Sequence, residues 1–227
     1  MRPSSLLDDD QLAAFRSTGM LRLPGAIPGP EAAAMVDRIW DHLHRSHGVI
    51  RDRRQTWPAG QITGLRAVTD TPEFQALGSA TVRGALDDLL RAGRWQPPRR
   101  WGRLLGTFPS PGRQWTLPDG AAWHNDFVPL QPGPALRAVQ LFTILHDLPA
   151  RGGGTLVVTG SHHLVTRYIT GTEGTRIDDV DLRVVELSGR PGDVFVMHCD
   201  TLHAAAPNSH EEPRMMATTI VPAKTVS

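Results

Sequence analysis

Val194-Phe195-Val196-Met197-His198-Cys199-Asp200-Thr201-Leu202-His203-Ala204-Ala205-Ala206-Pro207-Asn208, followed by Pro213-Arg214-Met215-Met216-Ala217-Thr218-Thr219-Ile220, is the stretch on which the fold turns. Two apolar runs rich in Val, Met and Thr are separated by Asp, Pro and Asn, the pattern of short strands joined by turns. Working outward, the same punctuation recurs near Arg103 to Phe108, Ala121 to Phe127, Leu136 to His146, Gly154 to Thr159 and Leu182 to Leu187. Together with Val194 to His198 and Arg214 to Val221, these runs suit a barrel or double-sheet jelly roll with helices outside. The helices lie ahead of Gly93. Asp10 to Thr18 carries Leu12, Ala13, Ala14 and Phe15 behind an acidic start, with Gly19 as a stop. A second helix opens near Pro30 and repeats Ala34, Met35, Ile39, Trp40 and Leu43 at helical spacing; a third runs from Thr81 to Ala92. Met20 to Leu23 reads as a strand, and Gly48 to Gln61 as a long polar loop.

Bulk composition narrows the function class. The 227 residues, 40% hydrophobic and 21% charged, suffice for one domain with a substantial core. Lys and Arg total 24 against 23 Asp and Glu, for a formal net charge of +1, and no sustained basic block marks a nucleic-acid or membrane face. Arg51-Asp52-Arg53-Arg54 is interrupted by its own acid and reads as a solvated loop, and Lys224 is the one lysine. Cys199 is alone, so no intrachain disulfide forms; it lies in an apolar run and reads as buried. No signal core or membrane-length run is evident, and the expectation is a cytoplasmic protein.

The chemistry starts at Trp123-His124-Asn125-Asp126. On an extended chain, residues two apart face the same way, so one metal could take both His124 and Asp126. A third ligand is needed from elsewhere, and His203 is the best candidate, placed at the end of a strand neighbouring Val194 to His198. A set of two His and one carboxylate leaves open positions on iron for a bidentate co-substrate and dioxygen. Arg214 follows His203 by eleven residues and opens an apolar strand. A guanidinium facing a barrel interior is costly without an anion, and its planar fork suits a carboxylate; at a strand edge the same side chain would reach solvent instead. His198 lies inside an apolar strand, His162 and His163 end a Gly-Ser-His turn, and Gly152-Gly153-Gly154 reads as a tight turn, not a phosphate loop. His146 and Asp147 fall on opposite faces of a strand end.

Taken together the motifs resemble the phytanoyl-CoA dioxygenase family of iron(II)/2-oxoglutarate oxygenases. The resemblance runs from Phe15-Arg16-Ser17-Thr18-Gly19 through Trp123-His124-Asn125-Asp126 and Gly152-to-His162, and closes on Pro191-Gly192-Asp193, Leu202-His203, Pro207-Asn208 and Pro213-Arg214. It implies a mainly β fold, a double-stranded β-helix (jelly-roll, cupin-like) barrel with flanking helices over residues 1–227. It also implies iron(II) on His124, Asp126 and His203, with the 5-carboxylate of 2-oxoglutarate on Arg214. Phe142 falls where relatives carry an aromatic beside the co-substrate, and Thr107 lies on a strand lining that pocket. The implied reaction consumes dioxygen, releases succinate and carbon dioxide, and hydroxylates or otherwise oxidises an unactivated carbon of a small molecule, with specialised metabolism as the expected setting. Asp126 stands where related halogenases carry a small residue, which disfavours halide transfer. Two positions depart from the family: Thr159 replaces a proline, and Ala205 replaces a hydroxyl residue near the co-substrate. The rivals are a cupin-like metal hydrolase or isomerase and a non-catalytic binding barrel. The expected state is a monomer or weak homodimer, with neither nucleic acid nor membrane as partner. Substrate contacts are expected in the loops 48–75, 109–122 and 127–136, where Trp57, Arg66, Trp115 and, just beyond, Arg137 are candidates.

Overall fold

The computed structural model describes residues 5–62, 65–110, 112–126, 136–170 and 180–224. Its N-terminal helices follow the local signals closely. Helix α1, Asp9–Thr18, starts from a reciprocal cap: the Gln11 N–H donates to Asp8 Oδ1 at 2.7 Å, and the Asp8 N–H to Gln11 Oε1 at 3.0 Å. Gly19 ends it in the left-handed region at φ +73°. Strand β1, Met20–Leu23, leads to helix α2, Gly29–His47, which has proline in its first turn and buries Met35, Val36, Ile39, Trp40 and Leu43. Helix α3, Ala80–Leu90, takes its cap from the Ser79 hydroxyl, which accepts the Val82 N–H at 3.2 Å.

The remaining strands are β2 (Gly60–Gln61), β3 (Arg103–Phe108), β4 (Ala138–Ile144), β5 (Thr155–Thr159), β6 (Arg183–Glu186), β7 (Val194–His198), β8 (His203–Ala205) and β9 (Arg214–Pro222). They form a six-stranded sheet, β1-β7-β4-β9-β3-β2, and a three-stranded sheet, β6-β5-β8, with every pair antiparallel. The expected architecture of a mainly β, cupin-like jelly roll with flanking helices is met in these two sheets.

Alternation along the strands gives the large sheet two faces with different tasks. Val139 and Leu141 of β4, Met215, Ala217 and Val221 of β9, and Val194 and Val196 of β7 pack with Phe15, Ile39, Leu43, Phe74 and Leu86 in one core beneath the helices. Large-to-small changes at such packed positions cost about 2–5 kcal/mol. This layer therefore fixes the sheet as a platform. The opposite face contributes Phe142, Ile144, Phe195, Met197 and Met216, which meet Val157 and Leu187 from the side of the small sheet. On that inner face Thr107 pairs with Arg214, Arg103 with Thr218, and Phe142 with Thr218. The polar residues of the inner face are thus brought together by register.

Four expectations need correction. No strand forms over Ala121 to Asp126: Pro118-Asp119-Gly120 tightens into a 3-10 turn at Gly120–Ala122, closed by the Ala122 N–H on the Asp119 carbonyl at 2.9 Å. Only His124 then pairs, as an isolated bridge to His203, and Phe127 lies outside the described residues. His203 does stand at the end of a strand, but that strand is not a sheet neighbour of β7. The chain turns after β7, with the Thr201 N–H on the His198 carbonyl at 3.0 Å, and His203 opens β8 in the small sheet. The Gly-Ser-His turn continues into a helix, α4, Ser161–Thr170. Finally, the region read as loop holds 3-10 turns at Arg54–Thr56, Leu65–Asp70 and Pro72–Gly78 besides β2, and buries Leu65, Val68, Phe74 and Leu77.

Candidate metal centre

The bridge that pairs His124 with His203 places two imidazoles across the gap between the sheets, their ring centroids 4.6 Å apart. Asp126, two residues on from His124, turns its carboxylate between them: Oδ1 lies 3.6 Å from His124 Nε2 and Oδ2 3.5 Å from His203 Nε2. The donor atoms of the three residues all lie within 4.8 Å of one another. Both rings are oriented from behind. His124 Nδ1 lies 2.9 Å from the Ala122 carbonyl oxygen and His203 Nδ1 3.2 Å from that of Thr201. A carbonyl only accepts, so each Nδ1 carries a hydrogen, and Nε2 is the atom left facing the carboxylate and the one that would ligate a metal. Donors held at right angles about 2.1 Å from one ion would stand about 3 Å apart. The set needs only a small contraction to close on a metal, and its composition suits iron with positions left over.

The carboxylate is itself fixed. Gln140, 2% exposed on the inner face of β4, donates from Nε2 to Asp126 Oδ2 at 2.8 Å and to Thr218 Oγ1 at 3.1 Å. Asp126 is held well below the usual carboxylate range by the facing His203 imidazole, against the opposing effect of burial and with help from the Gln140 amide. Phe142 stands edge-on to His203 at 5.8 Å between centroids. Arg103 Nη2 lies 4.0 Å from Asp126 Oδ2 with its side chain 72% exposed. His203 is buried while half of the His124 side chain is exposed, so the centre opens on the His124 side.

Along the same face, Arg214 opens β9 and is 4% exposed. Its Nη1 donates to the Gly153 carbonyl at 2.6 Å and its Nη2 to Thr107 Oγ1 at 2.8 Å, while Nε is buried without a partner among the described residues. Burial pulls the guanidinium down to about 10, with Glu186 opposing the shift. Among the described residues Arg214 makes no ion pair. A buried cation with an orphaned N–H and no contacting acid is poised for an anion brought in from outside.

The sequence profile of the phytanoyl-CoA dioxygenase (PhyH) family matches residues 15–216. The chain belongs to the phytanoyl-CoA dioxygenase family. Solved structures share the family fold at low sequence identity. The non-heme alpha ketoglutarate dependent epimerase SnoN from nogalamycin biosynthesis superposes with a TM-score of 0.63 at 22% identity, covering 97% of this chain and 84% of its own. EctD from S. alaskensis, crystallised with 2-oxoglutarate and 5-hydroxyectoine, gives 0.65 at 19% identity, covering 98% of this chain and 78% of its own. AviO1 from Streptomyces viridochromogenes Tue57 gives 0.61 at 19% identity, covering 99% and 100%. No curated protein sequence matches the chain.

Against the family frame, the other candidate residues sort by position. Phe142 is brought to the His203 ring and Thr107 to the Arg214 guanidinium. Trp57 is not: it packs on Trp40 and Phe108 on the helix side of the large sheet and donates from Nε1 to the Ile50 carbonyl at 3.0 Å. Arg137 pairs with Asp200, and Arg66 is exposed on a 3-10 turn. Trp115 lies under the Arg151 guanidinium, 5.9 Å away, near the glycine turn, and its buried Nε1 has no partner among the described residues. His162 and His163 pack on α1, donating toward the Arg16 and Ser17 carbonyls at 3.0 and 3.2 Å. Cys199 is buried, its thiol pushed up to about 11 by burial and by Asp200. Gln140 and Thr218 escaped the reading of the sequence. The signal was present, since an amide inside the apolar run Val139-Gln140-Leu141-Phe142 must find a buried partner.

Proposed function

We propose that the chain is a single-domain iron(II)- and 2-oxoglutarate-dependent oxygenase acting on a small molecule. The observation that carries this reading is a His-Asp-His set, tied through Gln140 and Thr218 to the inner face of the large sheet, with a buried, acid-free Arg214 on that same face. Membership of the family supports it, as do the iron, alpha ketoglutarate and nogalamycin RO bound in a SnoN structure and the 2-oxoglutarate bound in an EctD structure.

In this reading His124, Asp126 and His203 hold the iron, and Arg214 with the Thr107 hydroxyl holds the distal carboxylate of 2-oxoglutarate. Bound iron, 2-oxoglutarate and dioxygen together supply the oxidising power, releasing succinate and carbon dioxide. The chain's own residues orient and exclude. The Ala122 and Thr201 carbonyls lock both imidazoles with Nε2 inward, and Gln140 keeps the carboxylate turned to the same point. Phe142 and Met216 wall the inner face against water. Arg214 converts binding of the remote carboxylate into placement of the reacting end.

Hydroxylation is the outcome we assign, while the likeness extends to an epimerase, SnoN, and a carbocyclase, SnoK, from nogalamycin biosynthesis. The test is 2-oxoglutarate turnover by the purified protein with iron(II) in air. Succinate above the metal-free background is expected; none, with or without candidate substrates, would retire the oxygenase reading.

A further inference from the structure

Arg214 has a counter-charge that it does not touch. Glu186, at the end of β6, accepts three backbone N–H groups from the glycine turn: Gly154 and Gly153 on Oε1 at 2.9 and 3.1 Å, and Arg151 on Oε2 at 2.7 Å. The N–H of Gly154 and the carbonyl of Gly153 belong to one peptide group. That carbonyl accepts Arg214 Nη1 at 2.6 Å. A trans peptide is planar, so anchoring its N–H on Glu186 aims its C=O at the guanidinium, and the two hydrogen bonds polarise one another in line.

The turn has little freedom to re-aim. Gly153 sits at φ +83°, and a Cβ there would stand 2.8 Å from the Asn208 side chain and 2.9 Å from its backbone; one on Gly154 would meet the Leu187 carbonyl at 2.1 Å. Asn208 in turn donates from Nδ2 to the Thr107 and Glu212 carbonyls at 3.2 and 2.8 Å, tying the turn to the cross-strand partner of Arg214 and to the chain that leads into β9. Glu186 is placed by its register opposite Leu156. A carboxylate in direct contact with Arg214 would compete with an incoming one. Acting through a peptide, it steadies the guanidinium while leaving Nε without a partner among the described residues.

We propose that Glu186 is a positioning residue that holds Arg214 ready for the distal carboxylate of the co-substrate through the single Gly153–Gly154 peptide. The proposal rests on the assignment of Arg214 to that carboxylate. Its test compares two 2-oxo acids on the anaerobic iron(II)-loaded protein, read by the visible charge-transfer band. 2-Oxoglutarate carries the distal carboxylate, and 2-oxopentanoate ends in a methyl at the same length. The native protein should favour 2-oxoglutarate strongly. In Glu186→Gln, affinity for 2-oxoglutarate should fall about tenfold, the low end for removing an outer support of a binding group, with 2-oxopentanoate unchanged. Glu186→Asp, which keeps the charge at shorter reach, should fall between them and replaces the glutamine variant if that fails to fold. Equal losses for both acids, or an unchanged preference, would overturn the role of Glu186. A native protein that binds both acids but does not distinguish them would instead refute the assignment of Arg214, and the proposal with it.

Discussion

Among the described residues two groups of histidines invite comparison, and their rings are about equally close. His124 and His203 stand 4.6 Å apart; His162 stands 4.0 Å from His163 and 4.9 Å from His198. In the first, both Nδ1 atoms face carbonyls and both Nε2 atoms face the carboxylate of Asp126. In the second, His162 and His163 spend Nε2 on α1 carbonyls, His198 Nδ1 accepts the Asp200 N–H at 3.1 Å, and Asp200 pairs with Arg137. The consequences for charge are opposite. Asp126 stays ionised among its imidazoles, whereas burial, with His198 adding to it, pushes His162 down to about 4. One cluster holds a carboxylate between two inward-facing Nε2 atoms. The other is a ring stack that joins α1 to α4 and β7, with its central His162 disfavoured as a cation. Ring proximity does not make a metal centre; a central carboxylate and imidazoles turned by their Nδ1 partners do.

The largest expected contrast is in iron affinity. His203→Ala should weaken iron(II) binding by at least about 100-fold, and Gln140→Leu, which removes only a support, by about tenfold. His162→Gln should leave it unchanged. Titration of the metal-free protein under anaerobic conditions reads all three, and a large loss in His162→Gln would erase the distinction between the clusters.

Smaller, and opposite in location, is the effect of acid on the metal-free fold. The folded His162 value of about 4 lies below the ordinary histidine value near 6.5, so between these limits the unfolded chain binds more protons. The associated stability is complete above about pH 6.5, declines as pH falls, and is exhausted near pH 4, for a total of about 3 kcal/mol. His146, also lowered by burial, adds in the same direction. Melting curves across that window should show the decline, and His162→Gln should flatten it; an equally steep decline in the variant would place the effect elsewhere.

How much of this could be read in advance follows from how local each signal is. The caps and stops at Asp8, Gly19, Ser79 and Gly48 act within one turn, and the first three helices end within two residues of the positions their sequences suggest. The apolar strands β4, β7 and β9 were legible because burial on both faces leaves uninterrupted runs. Helix α4 was hidden by Val165, Thr166, Ile169 and Thr170, whose β-branched side chains argue against helix locally. At the centre, His124 and Asp126 were found by spacing, although their geometry comes from a turn and one bridge, not a strand. Gln140 and Glu186 act across the sheets. Their partners are fixed by register, which single-chain spacing does not encode.

The most direct measurement is the stepwise anaerobic addition of iron(II) and then 2-oxoglutarate to the metal-free protein. One equivalent of iron should bind, 2-oxoglutarate should then raise a weak visible charge-transfer band, and Asp126→Ala should lose that band. Failure of 2-oxoglutarate to bind the iron-loaded protein, or a band that survives in Asp126→Ala, would contradict the account.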